Sequence, residues 1–219
     1  MTVVAFDFDG TLSRTDVSVL LGREHDVESE VRGLIERGYR GDLDFERSLR
    51  QRVALLEGMR EEDVEEAFQR CKLREDAAEM IAELRRSGAS VAIVTGSFGR
   101  GVEAALDRAG VAVDHLAANR LVLEDGAVTG EVEGPLVGGD KERAFREIVA
   151  AASVSHGETV AVGDGLLDLP MLRAAGTAIG FNPVPLVEEN VDAVVTSVRK
   201  LRLYFQQNGI VEADGPVGG

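Results

Sequence analysis

Four aspartates stand in two short clusters: Asp7 and Asp9 in Asp7-Phe8-Asp9-Gly10-Thr11, and Asp164 and Asp168 in Gly163-Asp164-Gly165-Leu166-Leu167-Asp168. Each cluster ends a short apolar run, and carboxylates crowded at the end of a buried strand repel one another unless a cation or a cationic side chain joins them. No histidine or cysteine lies near either cluster, so the implied ion is a hard one in an all-oxygen site, Mg²⁺. A third apolar run ends in Thr95-Gly96-Ser97. Glycines at 10, 96, 163 and 165 let the backbone come close and turn N–H groups toward an anion, as a phosphate site requires. Lys141, one of three lysines in the chain, follows Gly138-Gly139-Asp140 and is a candidate to face that phosphate rather than solvent.

The elements that position these groups are legible as alternating patterns. Residues 3–8, 91–94, 159–162 and 193–195 are short β-branched runs separated by helical stretches, which predicts an α/β fold with a doubly wound parallel sheet, Rossmann-like. Ligands bind such sheets beyond the carboxyl ends of the strands, so all three reactive strand ends are expected at one edge. About eighty residues separate the first two runs, too many for one crossover, and they show amphipathic helices at 26–36, 44–56, 61–71 and 77–87. Residues 16–74 therefore read as an inserted helical cap, with 1–15 and 75–207 forming the core. Asp125-Gly126 between two alternating runs over 120–132 marks a tight hairpin, and helices are expected at 141–152 and around 169–174. Residues 208–219, rich in glycine, are expected to form a flexible tail that does not pack.

In the cap, Phe45, Leu49, Arg52 and Leu56 share one helical face. An arginine set among apolar neighbours can grip a carboxylate bidentately, whereas the plainer reading is a surface arginine laying its stem on apolar residues.

Composition bounds the function. The chain has 219 residues, 24 basic against 39 acidic, for a net charge of −15, and such a field repels nucleic acid and anionic membranes. No apolar run approaches the roughly 20 residues that span a bilayer, and the first ten residues carry no secretion signal, so the expected location is the cytoplasm. One cysteine, Cys71, allows no intrachain disulfide, and three scattered histidines form no zinc site. The excess of acids, with arginine in place of nearly all lysine, points to a salty solvent or simply to a surface kept soluble by self-repulsion.

DFDGT, Thr95-Gly96-Ser97, the downstream Lys141 and GDGLLD, in this order, resemble the four motifs of the haloacid dehalogenase superfamily of phosphotransferases. The resemblance spans residues 3 to about 195. Within the superfamily FERSLRQRVALLEG, ANRLVLEDGAVTGEVEG and VAVGDG are similar to the phosphoserine-hydrolysing branch. It implies that Asp7 is the nucleophile forming an aspartyl phosphate and that Asp9 is the acid and base. Thr95, the Gly96 N–H and Lys141 would hold the phosphoryl group. Asp7, Asp164 and the Asp9 carbonyl would hold Mg²⁺, with Asp168 orienting them from behind. It further implies that Arg52 grips the substrate carboxylate, that Phe45 shields the site and that Asp16 takes the ammonium.

The chain departs from the family pattern in three places. Asp16 stands where a glutamate is usual, Gly10 where serine is frequent, and Leu167 where an asparagine usually reaches the phosphate. The expected partner is a small phosphomonoester, phosphoserine first and another such ester second. A receiver-type phosphoacceptor fits Asp9, Lys141 and the cap poorly, and a dehalogenase needs neither Mg²⁺ nor a second aspartate at 9.

Overall fold

The structure is a computed structural model and describes residues 1–211. Its sheet comprises β1 (Val3–Phe6), β2 (Ser90–Phe98), β3 (His115–Glu124), β4 (Ala127–Glu133), β5 (Thr159–Gly163), β6 (Thr177–Phe181) and β7 (Ala193–Val195). The strands lie in the order β4-β3-β2-β1-β5-β6-β7, and all pairs are parallel except the β3–β4 hairpin at one edge. Side chains alternate across β1: Val4 and Phe6 enter one apolar cluster, Val3 and Ala5 the other. Because both faces are covered, the central strands read as unbroken apolar runs rather than as alternating ones.

Helices α5 (Ala77–Arg86), α6 (Gly99–Ala109) and α10 (Val198–Gln207) cover the Val4 face through Ile81, Val102 and Phe205. The opposite face is covered by α7 (Lys141–Ala152), α8 (Leu169–Ala174) and the single-turn α9 (Pro185–Glu188), through Phe145, Leu172 and Val187. Between β1 and α5 run α1 (Val17–Glu24), α2 (Glu28–Tyr39), α3 (Phe45–Ala54) and α4 (Glu61–Gln69), and among the described residues no strand lies between β1 and β2. Their apolar residues, Leu21, Leu49, Val53, Val64 and Phe68 among them, are continuous with the cluster on the Val4 face. The segments that enter and leave this run of helices are joined to each other: Ser13 bridges Leu73, and the Arg74 N–H donates to the Leu12 carbonyl at 2.7 Å.

Aspartates start three of these helices by accepting backbone N–H groups: Asp16 from Ser18, Asp44 from Arg47 and Asp140 from Arg143. At the hairpin, Asp125 and Gly126 have φ of 49° and 79°, the left-handed pair that a two-residue type I′ turn demands.

The structure adds elements that the sequence patterns do not announce. Helix α1 is buried from Val17 to Gly22, so it presents no polar face whose 3.6-residue period would reveal it. Strand β6 is a five-residue apolar segment between two loops, and β3 does double duty, pairing in parallel with β2 over its first half before turning into the hairpin. The expectation of an unpacked tail fails at its start: Val211 is buried and Ile210 packs on the Val4-face cluster, because α10 delivers them against the core. Residues 212–219 of that tail lie outside the described residues.

Candidate active site

Beyond the carboxyl ends of β1, β2 and β5 lies a cavity of about 350 Å³. Asp7, Asp9, Thr95, Gly96, Lys141, Asp164 and Asp168 line it from the sheet side, and Asp16, Phe45 and Arg52 from the helices after β1. Every residue singled out from sequence as a candidate thus reaches one space.

The Asp7 N–H continues the ladder to Val162 at 2.9 Å, which fixes the residue's backbone while its carboxylate turns into the cavity at 5% exposure. Lys141, 2% exposed at the first turn of α7, donates from Nζ to Asp7 Oδ1 and, at 2.6 Å, to Asp168 Oδ1. Burial alone would depress this ammonium, but Asp168 and Asp7 outweigh it and hold the lysine charged. Asp168 Oδ2 accepts the N–H groups of Asp164 and Gly165 at 3.0 and 2.9 Å, so both of its oxygens are engaged in holding the loop after β5. Asp164 Oδ1 accepts from Thr11 Oγ1 at 2.9 Å. Glycine suits position 10 as the chain is built here: its φ is +90°, and a Cβ there would press on the Asp164 carboxylate, which would have to shift.

Carboxylate oxygens of Asp7, Asp164 and Asp168 lie within 4.8 Å of one another. Desolvation, then repulsion from Asp168, raises Asp7 well above the ordinary carboxylate range against the pull of Lys141. The same two causes push Asp164 up to about 6. A cluster strained in this way, lined by oxygen donors and met by one lysine, suits a hard divalent cation. Asp7 and Asp164 are the side chains that would hold it, since Asp168 is committed elsewhere.

Asp9 faces the other way. Its Oδ1 accepts the Val17 N–H at 3.2 Å. Burial, with Asp16 adding repulsion, lifts it well above the carboxylate range, against Ser97, the Val17 N–H and Arg52. It is thus suited to carry a proton. Thr95 and Gly96 stand where the β2–β3 register slips between Val94 and Phe98, so this stretch of β2 leaves the ladder. The Gly96 carbonyl accepts from Asn119 Nδ2 at 2.9 Å, and Asn119 Oδ1 in turn accepts from the Leu136 N–H at 2.9 Å, which fixes the Gly96 peptide plane. The Phe45 ring lies on Gly96 so closely that a Cβ would strike it.

At the helical end Arg52 is 6% exposed, so it is no surface arginine. Its Nη1 donates to Ser18 Oγ at 2.9 Å and lies 3.6 Å from Asp16 Oδ2, and its guanidinium carbon is 5.9 Å from the centre of the Phe45 ring. An anchored cation and an anion stand side by side, both facing the cavity that holds Asp7. Leu167 also lines it, against Gly139.

Sequence reasoning missed five residues here. Ser18 and Asn119 act on Arg52 and Gly96 from positions that carry no motif. Ser97 was noted only as part of Thr95-Gly96-Ser97. Tyr39, 54% exposed at the end of α2, stands over Gly165, and Arg74 reaches the loop after β1 from far along the chain. The lysine-poor composition flagged Lys141, but no such contrast flags one arginine among many.

The haloacid dehalogenase-like hydrolase family model matches residues 4–173. The chain is 44% identical over 210 residues to a phosphoserine phosphatase of Halobacterium salinarum, covering 96% of this chain and all of the relative. It is 39% identical to one from Methanocaldococcus jannaschii, covering 93% and 97%. A solved phospho-aspartyl intermediate analogue of phosphoserine phosphatase superposes with a TM-score of 0.86 at 35% identity, covering 93% of this chain and 98% of that one. A substrate-bound phosphoserine phosphatase complex gives the same score and identity, covering 93% and 97%.

Proposed function

The chain belongs to the haloacid dehalogenase-like hydrolase family, and from that premise we propose that it is a phosphatase hydrolysing O-phosphoserine to serine and phosphate through an aspartyl phosphate. The observation that carries the substrate assignment is the pairing of buried Arg52 with Asp16, 3.6 Å apart, in the wall of the cavity that holds the aspartates. A guanidinium and a carboxylate side by side match the carboxylate and ammonium of an α-amino acid. The named relatives support the same substrate.

In this reading Asp7, whose Oδ1 is held by Lys141, attacks phosphorus with its free oxygen as the bond to the serine oxygen breaks. Asp9, protonated by virtue of its raised affinity, gives its proton to the departing oxygen. The resulting Asp9 carboxylate then takes a proton from the water that attacks the phosphoenzyme, and Asp7 is regenerated. Thr95, the Gly96 N–H and Lys141 hold the phosphoryl oxygens, and Phe45 keeps bulk water off them. Asp7, Asp164 and the Asp9 carbonyl would hold a divalent cation, Mg²⁺ in our reading, which would supply the positive charge that keeps both carboxylates ionised. Asp168 keeps Lys141 and the 164–165 peptides in place. The segment 16–74 acts as a cap that recognises the amino-acid end, and the reaction is the serine-forming step of serine synthesis in the cytoplasm.

Leu167 favours a second reading, a phosphatase of the same fold for another small phosphomonoester, because an apolar wall stands where a polar contact is usual. A panel of phosphomonoesters assayed with and without Mg²⁺ separates the two. Phosphoserine is expected to have the highest kcat/KM, with activity lost on chelation. A non-amino-acid ester hydrolysed faster would overturn the assignment.

A further inference from the structure

We propose that Arg74 is a positioning residue that sets the metal-binding aspartates by clamping the loop after β1, an inference that rests on the phosphatase reading above. Half-buried Arg74 donates from Nε to the Thr11 carbonyl at 2.8 Å and from Nη2 to the Gly10 carbonyl at 2.5 Å. Its guanidinium carbon lies 4.9 Å from the centre of the Phe181 ring, at the end of β6. Two successive carbonyls that have left the sheet ladder are thereby satisfied by one planar fork, a geometry that lysine cannot reproduce.

The clamped loop is the one that sets the metal ligands. Thr11 Oγ1 donates to Asp164 Oδ1, and Gly10 packs directly on the Asp164 carboxylate. Asp9, whose carbonyl is the third expected ligand, is bonded through its own peptide to Gly10. Holding the 10–11 peptides therefore fixes two ligands from behind without contact to the ion. The guanidinium of Arg74 spends its hydrogen bonds on carbonyl oxygens and its face on a ring, and although the Asp164 charge is near enough to act on it, it takes no aspartate oxygen. The same residue begins the return from the helices after β1, where its N–H bonds to Leu12. The metal loop is thus tied to the base of that helical run and not to α3, the helix that carries Arg52. Loss of the clamp should weaken the cation and slow the chemistry while leaving the grip on the amino acid alone.

The test compares Arg74→Ala, Arg74→Lys and the unaltered protein in Mn²⁺ binding, followed by the electron paramagnetic resonance signal of the free ion with no substrate present. Kinetics on phosphoserine at saturating metal follow, with circular dichroism to check folding. Arg74→Ala is expected to bind Mn²⁺ about tenfold more weakly, with kcat lowered by a similar factor and KM within about twofold. Arg74→Lys, able to make one of the two bonds, should fall between, and it carries the test if the alanine protein does not fold. Unchanged Mn²⁺ affinity in Arg74→Ala overturns the inference, as does a lysine protein equal to the unaltered one, which would assign the effect to charge. Absence of phosphoserine turnover in the unaltered protein would refute the functional reading instead and leave the metal comparison standing.

Discussion

At the sheet end of the cavity, Asp7 and Asp164 sit on or just beyond strands whose backbones are fixed by ladders on both sides, with Lys141 buried between Asp7 and Asp168. At the helical end, Arg52 and Asp16 come from α3 and the start of α1: Asp16 accepts the Ser18 N–H, and Arg52 is held by the Ser18 hydroxyl, the Ser48 carbonyl, the Phe45 ring and its attraction to Asp16, with no strand ladder beneath either. The first arrangement has the rigidity that transfer of a phosphoryl group demands, since misplacement of a nucleophile is costly in rate. The second has adaptable parts, suited to telling one alcohol from another. In the proposed function, fold and motifs set the reaction, whereas Arg52 and Asp16, from two separate parts of the helical run, would set what is brought to it.

The contrast breaks most visibly at Asp7. Asp7→Asn is expected to lower turnover by about 10³-fold or more and to abolish the acid-stable, hydroxylamine-labile phosphate trapped by quenching, because an amide cannot attack phosphorus. Labelling that survives the substitution would place the nucleophile elsewhere.

A smaller effect is expected from pH on the chelated protein. The Asp164 carboxyl, at about 6, binds its proton more tightly when folded than when unfolded. From its share alone, the chelated protein loses stability as pH rises from about 4 to about 6, and the loss is complete above that. The loss is on the order of 1–3 kcal/mol, and Asp164→Asn should remove it. Thermal unfolding of both proteins between pH 4.5 and 7 measures the difference. Mg²⁺, by holding Asp164 ionised, should stabilise the unaltered protein more at pH 7 than at pH 5. Parallel curves for the two proteins would contradict this account of the aspartate cluster.

The smallest effect on activity is expected at Cys71, just after α4. Burial pushes its thiol up to about 12, so the thiolate is scarce at pH 8. Native protein treated with iodoacetamide should keep its turnover and remain unlabelled, and label only in denaturant. Rapid labelling of the native state would mean that the helical end opens far enough to expose its base, and that the two ends differ in rigidity by more than their contacts imply.

The sheet end was the more legible of the two in sequence. Carboxylates, glycines and Thr95 follow apolar runs directly, and a parallel sheet brings its carboxyl ends together, so local patterns and one topological rule place them. Asp164 and Thr11 meet for that reason, although 153 residues separate them. The helical end was legible in part: the face shared by Phe45 and Arg52 follows from helical spacing, but Ser18, which anchors Arg52, lies on α1, a helix hidden by its burial from Val17 to Gly22. Asn119 and Arg74 escaped because each acts on backbone carbonyls, which carry no side-chain signature to pair with. The packed start of the supposed tail escaped because Ile210 and Val211 are held by α10 rather than by any pattern of their own.

The central claim, chemistry at the sheet end and recognition at the helical end, is tested most directly by Arg52→Ala assayed on two substrates. The substitution removes the proposed carboxylate partner and leaves Asp7, Thr95, Lys141 and Asp164 untouched, and of the reacting groups only Asp9 feels the lost charge. A charge-assisted hydrogen bond at a buried site is worth roughly 1.5–3 kcal/mol, so kcat/KM for phosphoserine should fall about ten- to a hundredfold. With p-nitrophenyl phosphate, which has no carboxylate, the fall should be several times smaller. Equal losses on both substrates, or no loss on either, would contradict the division.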